Sequence, residues 1–81
     1  MNIQLIQGQF NANDAIDIIT KMIDVKIKYH ENKINCSSNE EDVKMREAKI
    51  KWLQKQLFEC RNNMADNIVK VKLNAIIQMK I

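Results

Sequence analysis

Val69-Lys70-Val71-Lys72-Leu73-Asn74-Ala75-Ile76-Ile77-Gln78-Met79-Lys80-Ile81 decides the fold, because here the side-chain period changes from helical to strand-like. Every second residue is apolar (Val69, Val71, Leu73, Ala75, Ile77, Met79, Ile81), and Lys70, Lys72, Asn74, Gln78 and Lys80 lie between them, with Ile76 the one exception. A period of two sets one face of a strand against a core and the other in water. At the other end of the chain, MNIQLIQGQF also reads as a strand, so strands over 1–10 and 68–80 bracket a helical middle. The N-terminal alternation slips from Ile3 and Leu5 to Ile6 and Phe10, and Gly8, the only glycine, predicts a bulge at Gln7-Gly8.

Inward from the first strand, Asn11 or Asn13 can cap a helix predicted over 13–34, with Asp14 and Asp17 near the positive end of its dipole. Ile16, Ile19, Ile23, Ile27, His30 and Ile34 recur at spacings of three and four, one face of a 3.6-residue period. A second apolar row, Ala15, Ile18, Met22, Val25 and Tyr29, runs beside it. Asn35-Cys36-Ser37-Ser38 is the turn over 35–38, and Ser37-x-x-Glu40 and Ser38-x-x-Glu41 both fit a capping box for a second helix over 39–63. Val43, Ile50, Leu53, Leu57, Cys60 and Met64 form its heptad-like, coiled-coil stripe, with Arg46 on the same line and Met45, Ala48 and Trp52 in a flanking row. Acid-first i,i+4 pairs support both helices: Asp17–Lys21, Asp24–Lys28, Glu40–Lys44, Asp42–Arg46 and Glu47–Lys51. Asn62, Asn63 and Asn67 mark the helix stop.

A four-residue turn makes the helices antiparallel neighbours, so the strands emerge together at the open end of the hairpin and pair there. The fold class is therefore α+β, mostly α: one domain of 81 residues, a long antiparallel helical hairpin flanked by N- and C-terminal strands, completed by a homodimer. A chain this short buries only about 60% of its unfolded surface and usually needs a staple. Two cysteines are too few for a disulfide scaffold. The polar-interrupted N-terminus does not read as a signal peptide, and no run of 18 apolar residues spans a membrane. A cytoplasmic protein without cofactor or membrane partner is expected, and oligomerisation remains as the staple. The longer C-terminal strand adds an overhang that calls for another pairing edge.

Candidate sites are sparse. His30, the only histidine, lies on the apolar stripe and reads as a packed structural residue; as a catalytic base it would need an orienting carboxylate, with Glu31 or Glu47 available. Cys36 sits at the closed end and Cys60 some 22 residues along the second helix, roughly 30 Å away, which excludes a disulfide between them. Cys60 reads as a small core residue and Cys36 as a turn thiol. No metal-ligand spacing, glycine-rich phosphate loop, nucleophile elbow or pair of catalytic carboxylates occurs, so no enzyme is indicated. The surplus rows place a subunit interface at Ile18, Met22, Val25, Tyr29 and Trp52, joined by Leu73, Ile77 and Met79 of the last strand.

The strand–helix–helix–strand order, with its IQGQF-NANDA entry and the KIKYHENKI and EEDVKMREAKIKWLQ helices, resembles small uncharacterised bacterial proteins of similar length. That resemblance implies the layout and no activity. Prefoldin-type chaperones also attach β-structure to a helical hairpin, but between the helices rather than at the termini, so their function does not carry over. The leading expectation is a non-enzymatic cytoplasmic oligomerisation and protein-interaction module. The alternative is a small nucleic-acid-associated protein contacting phosphates through Lys44, Lys51, Lys55, Lys70, Lys72 and Lys80. A net charge of +3 with both signs mixed along the helices, and only four aromatic residues, argue for the first.

Overall fold

A computed structural model describes residues 1–64 and 68–81. The order is β1 (Asn2–Asn11), α1 (Ala12–Cys36), α2 (Glu40–Asn63) and β2 (Lys70–Gln78), and the two strands form one antiparallel ribbon. The helical hairpin flanked by terminal strands is thus the fold that the two side-chain periods predict. Boundaries move in instructive ways. Ala12 continues β1 directly into α1, with Asn11 at the N-cap position but making no side-chain cap bond. The restart uses neither serine box: the Asn39 side chain accepts from Glu41 N–H and Asp42 N–H at 2.9 and 3.3 Å, while Ser37 Oγ accepts from Asn39 N–H. Asn outranks Ser only slightly as a cap, and here Ser37 is already committed as the C-cap of α1, its N–H bonded to Ile34 O. The helix stops at Asn63 as the asparagines predict, and Asn67 lies outside the described residues.

The ribbon corrects two expectations. The register shift lies between Gln4 and Ile6, with Leu5 as the extra residue, rather than at Gln7-Gly8. The physical reason is visible in the pairing: Ile6, Gly8 and Phe10 stay in phase opposite Ala75, Leu73 and Val71, and Ile3 opposite Ile77, so the slip falls at the adjacent apolar pair Leu5-Ile6. The Gln4 amide bridges the bulge, donating to Ile6 O and Asn74 Oδ1, both at 2.8 Å. β2 also ends at Gln78, and Met1 and Met79 close the ladder through mutual backbone bonds, so the strands match in length and the expected overhang is absent.

Ile6, Leu73 and Ala75 face Ile19, Met22 and Ile23 across a cavity of about 300 Å³, which folds the ribbon back along α1. α2 touches α1 alone and neither strand. Its stripe Val43, Ile50, Leu53, Leu57 and Cys60 is the covered side, and Leu53 is its one buried member, the others being half-buried. Two cross-helix bonds tie the hairpin at opposite ends: Arg46 to His30, and Arg61 to Thr20 Oγ1, whose hydroxyl in turn donates to Ile16 O. Of the acid-first pairs, Asp17–Lys21, Asp24–Lys28 and Asp42–Arg46 form; Glu40–Lys44 and Glu47–Lys51 do not, and Lys55–Glu59 appears at 4.0 Å. Exposed pairs contribute only a few tenths of a kcal/mol, so this scatter leaves the helices intact.

Candidate functional site

His30 is the one buried polar residue, 5% exposed, among the described residues. Arg46 Nη1 lies 3.1 Å from its Nδ1. A guanidinium only donates, so Nδ1 accepts and the ring proton sits on Nε2. That Nε2 is buried with no hydrogen-bond partner. Arg46 is held in turn by Asp42, whose Oδ2 accepts from Nε at 3.1 Å. Tyr29 packs edge-on to the imidazole at a centroid distance of 5.4 Å, and Arg46 lies 5.8 Å from the Tyr29 ring centre. Burial, then the charges of Arg46, Lys49 and Lys26, holds the imidazole below its ordinary pKa. The hydrogen bond from Arg46 holds the Asp42 carboxyl below its own, against an opposing contribution from burial.

The expected carboxylate neighbours of His30, Glu31 and Glu47, are therefore not its partners. Arg46 is, and its signal in the sequence is that it stands as the only charged residue on the apolar line of α2. Chemically the arrangement is closed: one ring nitrogen is occupied by a cation and the other is cut off from solvent. Among the described residues, no three His, Cys, Asp or Glu side chains gather as metal ligands.

Beside this network lies a cavity of about 280 Å³ lined by Lys26, Tyr29, His30, Lys49, Trp52 and Leu53. Its aromatic walls are open to water: Tyr29 is 53% and Trp52 56% exposed. Val25 is 70% exposed, and Met22, Met45, Ile77 and Met79 are also exposed, whereas Ile18 and Leu73 are half-buried. Met22 and Leu73 line the cavity between the ribbon and α1, so the strand and helix members of the predicted interface adjoin one another. At 100° per residue, Asp17, Lys21, Asp24 and Lys28 fall on the flank of α1 opposite Ile19, Met22 and Lys26. One flank of α1 is thus charged and ion-paired, whereas Val25 and Tyr29 of α1 and Trp52 of α2 are apolar side chains left uncovered within the chain.

Lys44, Lys51 and Lys55 lie on α2, and Lys70 and Lys72 on β2, with Lys80 beyond its end. Because α2 meets neither strand, these lysines belong to two groups on separate elements. Both cysteines are free, Cys36 exposed and Cys60 half-buried. Among the described residues no helix is long and apolar enough to cross a membrane. No family model, curated protein or solved structure matches the chain.

Proposed function

We propose that this chain is a non-enzymatic oligomerisation module of the cytoplasm, working as a homodimer whose second copy covers the exposed apolar side chains. One observation carries the reading: the chain exposes 6694 Å² of surface. A compact protein of this mass exposes about 5,000 Å². The excess of about 1,600 Å² per protomer, taken twice, falls within the range of obligate homodimer interfaces. The dimensions agree: the radius of gyration is 15.4 Å and the Cα atoms span only 13 Å in the shortest direction. A compact chain of this length has a radius of about 12 Å. Domains bury their apolar faces between two layers, and a second copy supplies the missing one. Tyr29 and Trp52 are the residue types that anchor such interfaces.

The closed chemistry of His30 supports a role without catalysis, and two thiols set apart by the hairpin suit a reducing compartment. Sedimentation equilibrium at micromolar concentration should give a dimer; a stably folded monomer of 9.5 kDa would sink the reading. A nucleic-acid role would instead appear as affinity for DNA or RNA falling steeply with salt.

A further inference from the structure

The two outer edges of the ribbon differ in a way that decides which of them another chain can use. Ala12 N–H donates to Val69 O at 2.8 Å, which sets the phase of the ladder. Counting back in twos, Phe10, Gly8 and Ile6 direct their backbone groups inward at Val71, Leu73 and Ala75, so those of Gln7, Gln9 and Asn11 point outward from β1. On β2 the outward groups are those of Lys70, Lys72, Asn74, Ile76 and Gln78, so two lysines stand at the head of that edge. Lysines on an edge block pairing, since two copies would bring like charges face to face. β1 carries no charged side chain and no proline anywhere in NIQLIQGQFN. An uncharged edge with free donors and acceptors is a template for a further strand.

We propose that the free edge of β1 pairs with β1 of a second copy, antiparallel about a twofold axis at Gln9, giving the order β2-β1-β1-β2. This rests on the second-copy reading and names the contact it uses. The axis at Gln9 is the one that employs every outward backbone group beyond the Leu5 bulge: Gln9 meets the partner's Gln9, and Gln7 meets the partner's Asn11. It also sets Gly8 opposite the partner's Phe10. Within one chain the Phe10 ring stands 3.9 Å from where a Gly8 Cβ would be, and no other side chain lies within 4 Å of that point. A twofold axis perpendicular to the sheet keeps Ile6, Phe10, Val71 and Leu73 of both copies on one face. Four strands with one apolar face reach the size at which a sheet is stable, which two strands do not.

The test uses the full chain with Cys36→Ser and Cys60→Ser. Adding Gln9→Cys should give a disulfide-linked dimer on diamide oxidation, because paired Cα atoms there lie about 5.5 Å apart, within disulfide reach. Lys72→Cys should stay unlinked, since its copy lies three strand spacings or about 14 Å away. Gln9→Lys, with helicity unchanged by circular dichroism, should weaken dimerisation about tenfold by setting two charges face to face. A dimer in which Gln9→Cys stays unlinked, or whose affinity Gln9→Lys does not move, overturns the edge assignment and leaves the second-copy reading standing. A folded monomer overturns both.

Discussion

Protonating His30 would add a positive charge beside Arg46, Lys49 and Lys26 and remove the acceptor that Arg46 uses. The folded ring therefore resists the proton, and its pKa lies below the ordinary 6.5. As pH falls the unfolded chain binds that proton first, so stability is complete above 6.5 and declines below it. Asp42 acts in the same direction further down: its carboxyl is held below 3.8, so its contribution is present above that pH and fades beneath it. The urea midpoint should hold steady from pH 8 to about 6.5 and then fall, and His30→Leu should flatten that fall down to about pH 5. A wild-type midpoint unchanged across this range would refute the assignment. Gly8 has φ +149, a region L side chains avoid, although a Cβ there would meet no atom closer than 3.9 Å. Gly8→Ala should cost about 1 kcal/mol through the backbone alone, read from the shift in urea midpoint at constant slope.

At the scale of elements, α2 is anchored by its cap and its stripe. Asn39→Ala removes the acceptor for two N–H groups of the first turn and should cost about 1 kcal/mol in thermal or urea unfolding. Ser38→Ala, which removes a box the chain does not use, should leave the midpoint within about 0.5 kcal/mol. Among the described residues Leu53 is the one large apolar side chain that is buried. Leu53→Ala should cost about 2–3 kcal/mol, the low end for a core leucine, because its surroundings are loosely packed and can relax. The elements themselves were legible because two periods, 3.6 and 2, do not resemble each other. Their ends were not, since Ser37, Ser38 and Asn39 are all competent caps and the choice depends on which is already committed to the end of α1.

For the whole molecule, stability and association are one quantity if the exposed apolar side chains are covered only by a second copy. The melting temperature should then rise with protein concentration, which a folded monomer would not show. Ile18→Glu or Ile77→Lys should unfold the chain as well as dissociate it, measured by circular dichroism alongside sedimentation. A folded, dimeric Ile77→Lys would place that residue outside the contact, and a folded, monomeric one would show that folding does not depend on association.

The hairpin, its flanking strands and the antiparallel ribbon follow from side-chain periodicity and a short turn, which are local properties of the chain. The surplus rows of Val25, Tyr29 and Trp52 were visible in the same way, because an apolar residue off the main stripe declares itself by position. Only the tertiary structure showed that β1 and β2 match in length, that the bulge falls at Leu5, and that the ribbon lies along α1 and leaves α2 bare. It alone joined Asp42, Arg46 and His30 into one network. Periodicity states which side of an element avoids water, but register, which residue absorbs a slip, and which buried nitrogen meets which arginine are set by contacts between residues far apart in sequence.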